Sequence, residues 1–216
     1  RIEASFRGFG NNPNWIVSAN SSFSASNLKR IYNIDGGVLH PSVDLSEFPS
    51  EPSFGETAAY EAAGVGEVGT YAVTIGRISR FKGTYETVEH LVGSGLELVV
   101  IGGGSADDIE SLQAYGERNG VTVRVLSGLS SEAMRAIMRN AAAVVGLAHG
   151  EAFGLTPIEA MALGVPPIFV GKWGAVDLIR DPFTDAQSGG LRITALATMD
   201  VTVARGSQLE ILAGLQ

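Results

Sequence analysis

From Tyr71 onward, short apolar runs alternate with amphipathic stretches, and this alternation leaves few folds open. Tyr71 to Ile75, Leu96 to Ile101, Val121 to Leu126, Ala143 to Leu147 and Pro167 to Val170 predict strands. Thr84 to Val92, Ala106 to Arg118, Ser131 to Asn140 and Pro157 to Leu163 predict the helices between them. Local chemistry supports the boundaries. Ser105 with Asp108 forms a capping pair, Asn119-Gly120 offers a left-handed stop, and Ser130 or Ser131 can cap the next helix. Continuous apolar strands separated by helices of this length imply an α/β fold: a doubly wound, Rossmann-like parallel sheet with helices on both faces. In the order 3-2-1-4-5-6 the first and fourth strands are neighbours, and ligands bind outside their carboxyl ends.

Two loops of unusual chemistry fall at those two strand ends. The first is Gly76-Arg77-Ile78-Ser79-Arg80-Phe81-Lys82-Gly83. From Ile31 to Gly76 there are seven acids and no Lys or Arg; then three bases arrive within six residues, and none follows until Arg118. The chain carries a net charge of −8, which disfavours broad binding to nucleic acid or anionic lipid. One concentrated basic loop in an acidic protein suits a small phosphorylated ligand.

The second loop follows the fourth strand, in the run His149 to Pro166. Glu151 and Glu159 stand eight positions apart, with Phe153-Gly154-Leu155 between them. Thr156 reads as a helix N-cap, Pro157 as the first helical residue and Glu159 as N3. A helix N-terminus attracts anions by about 0.3 to 1 kcal/mol per charge. Glu159 could equally close a capping box with Thr156, which requires no ligand.

Taken whole, the run His149 to Pro166 resembles the Glu-x7-Glu signature of the group 1 family of retaining glycosyltransferases, which have the GT-B fold. Gly76 to Gly83 is similar to that family's Gly-Arg-(x4)-Lys-Gly loop. The resemblance implies that Arg77 and Lys82 neutralise a donor diphosphate, with Gly76 and Gly83 of the same loop among the substrate-binding residues. It implies that Glu151 lies beside the donor sugar and that the backbone of Phe153, Gly154 and Leu155 borders sugar and diphosphate. Glu159 would hold the ribose hydroxyls, and Leu129, in the loop Ser127-Gly128-Leu129, would touch the base. Arg80 sits where the family fixes nothing and reads as solvent-exposed. His149 stands as a structural residue or a sugar contact.

The implied activity is transfer of a hexose from a nucleoside-diphosphate sugar, GDP-mannose or a UDP-hexose, to an unidentified acceptor with retention of configuration. Two bases and a helix terminus would stand in for the divalent metal that other sugar transferases use, and no clustered His and carboxylate ligands predict a metal site. A non-catalytic nucleotide-sugar-binding or assembly module is the alternative. A dinucleotide reading of Ile101-Gly-Gly-Gly-Ser-Ala-Asp107 is weak, because Asp107 stands at the third glycine of the fingerprint.

The remaining stretches organise around that domain. Ser18 to Asp44 is similar to the family's interdomain crossing, with a strand at Trp15 to Ala19, a short helix from Ser24 to Tyr32 and an extended piece at Val38-Leu39. Residues 1–45 are therefore expected to be a remnant of the N-terminal domain and the crossing. Residues 46–70, rich in Pro, Gly, Glu and Ser, read as a linker or surface insertion with one helical turn at Thr57 to Ala63. The nucleotide-sugar domain is expected over 71–193, with Leu191 to Ile193 as a sixth strand. Residues 194–216 form a tail with a helix from Ser207 to Leu215. Past Pro166 the family shows a Gly-Gly pair and a further Glu; here Lys172 to Asp177 departs from it, leaving Asp177 as the candidate stand-in. The chain begins at Arg1, so a fragment is expected, lacking most of the acceptor domain and able to bind donor but transfer poorly alone. With no cysteine, no secretory signal pattern and no membrane-length apolar run, a cytoplasmic location is expected, peripheral at the membrane in the full-length enzyme as an option.

Overall fold

In the computed structural model, residues 16–49 and 51–169 are described, together with the backbone of two short strands, Leu178–Arg180 and Ile193–Ala195. The chain divides into two compact units. The larger comprises Asp44–His149 and Leu155–Val170; Gly150–Gly154 and the described residues before Asp44 belong to the smaller.

The larger unit is built on a five-stranded parallel sheet. Its strands are β3 (Tyr71–Arg77), β4 (Glu97–Gly103), β5 (Val123–Leu126), β6 (Ala143–Gly146) and β7 (Pro167–Phe169). They lie in the order β5-β4-β3-β6-β7, which is the doubly wound order expected from the sequence. The first strand of the run, β3, pairs with β4 from Tyr71↔Glu97 to Arg77↔Gly103, and with β6 at Ala72↔Ala143 and Val73↔Val144.

Side chains alternate across the strands and divide the core into two layers. Tyr71, Val73, Val99, Ile101 and Val144 face one side, packed with Ile137 and Met138 of α5 (Ser131–Arg139) and Ala160 of α6 (Leu155–Ala162). Ala72, Leu98, Val100 and Val145 face the other, packed with Val88 and Leu91 of α3 (Thr84–Leu91) and Leu112 of α4 (Ala106–Arg118). The predicted caps form as read. Ser105 and Asp108 close a capping box at α4, Ser130 accepts the Ala133 N–H at α5, and Gly120 takes φ +70° after α4.

Three expectations are corrected. The stretch 46–70 holds more than one helical turn: α2 (Phe54–Ala63) has ten residues, capped by Ser53 and stopped by Gly64 at φ +61°. It packs on α5, where buried Glu56 accepts from Arg135 Nε at 2.9 Å and Arg139 Nε at 3.3 Å. Secondly, α6 starts at Leu155, so Thr156 and Pro157 lie inside its first turn and Glu159 in its second. The cause is Gly154, whose φ of +79° turns the chain into the helix two residues early. Thirdly, the expected sixth strand does not join the parallel sheet. Ile193–Ala195 (β9) pairs antiparallel with Leu178–Arg180 (β8). Asp177 and the predicted helix from Ser207 to Leu215 lie outside the described residues.

In the smaller unit, β1 (Ser18–Ala19), shorter than the expected strand, pairs in parallel with β2 (Gly37–Val38), which lies one residue before the expected Val38-Leu39. Between them α1 (Ser22–Asn27) is capped by Ser21 and continues as a wider π-helical turn through Tyr32. Asn33 ends it in the left-handed region at φ 57°.

Candidate functional site

The carboxyl ends of β3 and β6 carry the expected chemistry. Beyond β3 the basic loop folds on its own hydrogen bonds. Lys82 N–H donates to Ser79 Oγ at 3.1 Å, Gly83 N–H to the Arg80 carbonyl at 2.9 Å and Thr84 N–H to the Ser79 carbonyl at 3.2 Å. Gly83 then takes φ +71° against the end of β6. A Cβ there would stand 2.3 Å from the Leu147 carbonyl oxygen, so only glycine fits. The His149 N–H donates to the Phe81 carbonyl at 2.8 Å. The basic loop is thus joined by backbone contact to the residues that lead directly into Glu151.

The bases differ in what they meet. Arg77 is exposed at the end of β3 and makes no hydrogen bond or ion pair among the described residues. The half-buried Lys82 stem runs back over Gly76, its Cδ 4.0 Å from where a Cβ would lie. Arg80 turns away. Its guanidinium lies 4.8 Å from the Tyr85 ring centroid and 3.9 Å from Glu86 Oε1, with 65% of the side chain exposed. This agrees with its reading as a solvent-facing residue.

Glycine also clears the adjoining strand ends. Gly102 has φ +148°, and a Cβ on it would overlap the Gly76 carbonyl at 2.1 Å. The ends of β3 and β4 therefore present bare backbone. Further along, Gly128 turns at φ +68°, while Leu129 packs its side chain onto the core. That arrangement leaves backbone rather than side chain for a ligand to touch.

On α6, Leu155 is 43% exposed, and Ile158 and Ala160 anchor the helix to the sheet. Glu159 between them is half-buried, and its carboxylate has no hydrogen bond or ion pair among the described residues. Burial, and secondarily the nearby charge of Glu47, hold its carboxyl above the ordinary Glu range. The alternative reading of Glu159, a capping box with Thr156, does not form, because the helix starts at Leu155. Sequence reading missed Glu47, which stands in a 3-10 turn (Leu45–Glu47) more than a hundred positions away.

Glu151, Phe153 and Gly154 group with the smaller unit. Glu151 is half-buried, with Oε1 accepting the Ala152 N–H at 3.2 Å. Phe153 is buried, its ring centroid 6.0 Å from that of His40. His40, for which the sequence offered no partner, has Nδ1 3.2 Å from the Asn20 carbonyl oxygen. No group of three His, Asp or Glu side chains able to hold a metal occurs among the described residues.

A doubly wound sheet in this strand order defines a Rossmann-like α/β domain. Comparison with known proteins narrows that class. Residues 62–187 match the family described as Glycosyl transferases group 1, and the chain belongs to that family. It is similar to D-inositol 3-phosphate glycosyltransferase of Mycobacterium sp. (strain JLS), 29% identical over 198 residues covering 87% of this chain and 44% of that protein. Its counterpart of the same name from Xylanimonas cellulosilytica is 33% identical over 176 residues, covering 76% and 42%. The chain thus spans less than half the length of these relatives. Among solved structures it resembles Anabaena Alr3699/HepE in complex with UDP-glucose, with TM-score 0.65, 20% identity, and coverage of 80% of this chain and 50% of that one. It also resembles WaaG, a glycosyltransferase involved in lipopolysaccharide biosynthesis, with TM-score 0.60, 18% identity and coverage of 73% and 44%. These likenesses give the fold, that of GT-B glycosyltransferases.

Proposed function

We propose that this chain is the donor-binding half of a retaining glycosyltransferase, moving a hexose from a nucleoside-diphosphate sugar to a hydroxyl-bearing acceptor. The observation that carries the reading is the backbone seam between the two loops: Phe81 carbonyl to His149 N–H, and Gly83 against Leu147. It holds the loop that carries Arg77 and Lys82 against the residues that follow β6. Support comes also from the relatives, which are named as glycosyltransferases, and from the solved structure containing UDP-glucose.

In this reading Arg77, Lys82 and the N-terminus of α6 stabilise the charge that develops on the leaving diphosphate. Preorganised donors of this kind supply the largest share of many enzymatic accelerations. Each charge-assisted hydrogen bond to phosphate contributes about 1.5 to 3 kcal/mol. Glu151 supports the positive character of the anomeric carbon or orients the sugar. Glu159, whose carboxylate has no partner among the described residues, takes ribose hydroxyls, while the backbone at Leu129 meets the base and that of Phe153, Gly154 and Leu155 borders the sugar. GDP-mannose and UDP-hexoses are the candidate donors, and no metal is required by this assignment of charge. The acceptor groups belong to a partner domain, so the chain alone is expected to bind donor and transfer poorly.

A thermal-shift screen of the chain against UDP, GDP, ADP, their sugars and NAD tests the reading. Ligand at a hundred times its dissociation constant adds about 2.7 kcal/mol of stability. Stabilisation by a uridine or guanosine diphosphate supports the proposal; stabilisation by NAD alone, or by none of these, overturns it.

A further inference from the structure

We propose that His40 is a positioning residue for the donor sugar: its imidazole holds Phe153, and Phe153 holds the segment Gly150–Gly154 in place. The inference rests on the reading of that segment as the part of the chain that borders the sugar.

The segment has little backbone support of its own. It opens at Gly150, with φ +68°, and closes at Gly154, with φ +79°, left-handed conformations that glycine reaches without strain. Between them, neither Ala152 nor Phe153 makes a backbone hydrogen bond to another loop or strand among the described residues. Within the segment only Phe153 is buried, at 3% exposure. The place of the segment is therefore set largely by what Phe153 meets.

It meets the imidazole of His40, with ring centroids 6.0 Å apart and planes tilted by 38°, in the range of favourable aromatic pairs. The imidazole is fixed in turn. Its Nδ1 stands 3.2 Å from the Asn20 carbonyl oxygen. A carbonyl only accepts, so Nδ1 carries the proton and donates to it. The residue before His40 is held as well: Leu39 N–H donates to the Ala19 carbonyl at 2.8 Å, continuing the Ala19↔Val38 pairing of β1 with β2. An imidazole suits this position because it offers a hydrogen-bond donor at one edge and ring carbon to Phe153. A second observation points the same way. Gly150–Gly154 belongs to the compact unit that contains β1, β2 and His40, whereas His149 before it and Leu155 after it belong to the larger unit. The segment thus takes its packing from the region of β1 and β2, and the His40–Phe153 pair is a contact that joins the two.

The test is a calorimetric titration of the chain and its variants with UDP, UDP-glucose, GDP and GDP-mannose. The readout is the ratio of affinities for nucleotide sugar and free nucleotide, because only the sugar reports on this segment. His40→Ala should weaken binding of the nucleotide sugar by about three- to tenfold, as expected for loss of one aromatic pair, and leave the free nucleotide within about twofold. His40→Phe keeps a ring against Phe153, loses the N–H, and should recover most of that affinity. If His40→Ala lowers the melting temperature and leaves the ratio unchanged, the residue serves the fold only and the proposal is overturned. An equal loss for free nucleotide and nucleotide sugar overturns it too. If His40→Phe loses as much as His40→Ala, the imidazole acts through its nitrogen rather than by holding Phe153, and the positioning role fails. Glu151→Gln separates this inference from the reading beneath it. If Glu151→Gln shifts the ratio and His40→Ala does not, the His40 assignment alone fails; if neither shifts it, the sugar reading of the segment falls as well.

Discussion

Two glutamates of the larger unit sit in opposite circumstances. Glu56, at the seam of α2 and α5, is buried and saturated: Arg135 holds one oxygen and Arg139 the other. Glu159, in the second turn of α6, is half-buried, and its carboxylate receives nothing from the described residues. A buried carboxylate costs free energy unless its hydrogen-bonding capacity is filled. At Glu56 the protein fills it with its own cations, and the group serves the fold. At Glu159 no described side chain fills it, which is why we propose that group for ligand contact.

That contrast can be broken or sharpened by substitution. The largest effect is expected at Glu56. Glu56→Ala strands two arginines that are only 16% and 12% exposed, and breaking a buried pair costs about 3 to 5 kcal/mol. Chemical denaturation should show that loss, with nucleotide affinity per folded molecule unchanged. Next is Gly83→Ala. Its Cβ collides with the Leu147 carbonyl in a left-handed conformation, which should cost about 2 to 4 kcal/mol from overpacking and backbone strain together. Unlike Glu56→Ala, this change should also weaken nucleotide binding in the molecules that remain folded, because it displaces the basic loop.

Arg77→Ala should leave the denaturation midpoint alone and weaken UDP or GDP binding by about 1.5 to 3 kcal/mol, read by calorimetry. Glu159 makes a pH-dependent prediction of its own. Its folded carboxyl binds a proton more tightly than the unfolded one, since burial and then Glu47 raise its pKa. In the window between the ordinary Glu value and the raised one, the folded state therefore holds more protons, and stability falls as pH rises. Above that window the ionised carboxylate is a standing cost. Glu159→Gln should accordingly unfold at a slightly higher temperature than the unaltered chain at neutral pH, with the advantage disappearing below the ordinary carboxylate range. Such a gain in stability joined to a loss of nucleotide affinity marks a ligand-facing group. The smallest effect belongs to Arg80→Ala: an exposed ion pair 3.9 Å long contributes less than about 1 kcal/mol, and nucleotide affinity should move by less than twofold.

The same contrast explains how far the sequence could be read. Strand order, helix positions and the meeting of the two loops follow from local periodicity and from the connection rules of doubly wound sheets, so they were legible. Capping at Ser105 and Ser130 was legible for the same reason: donor and acceptor lie three residues apart. Glu56 was not, because its arginines stand 79 and 83 positions downstream and no periodic signal links them. The stretch around it looked like a linker because Pro, Gly and Ser dominate its flanks, yet one buried charge network docks α2 onto α5. The start of α6 was misplaced because Thr156-Pro157 is an attractive cap in isolation, whereas the left-handed Gly154 just before Leu155 decides the matter. Glu47 was invisible for a simpler reason: an exposed carboxylate in an acidic stretch carries no mark that ties its charge to Glu159, 112 positions away.

The most direct test of the whole account is a crystal structure of the chain with UDP or GDP. The diphosphate should lie within hydrogen-bonding distance of the Arg77 guanidinium and the Lys82 ammonium, with the ribose at Glu159. A nucleotide seated elsewhere on the molecule, its phosphates away from the Gly76 to Gly83 loop, would contradict it.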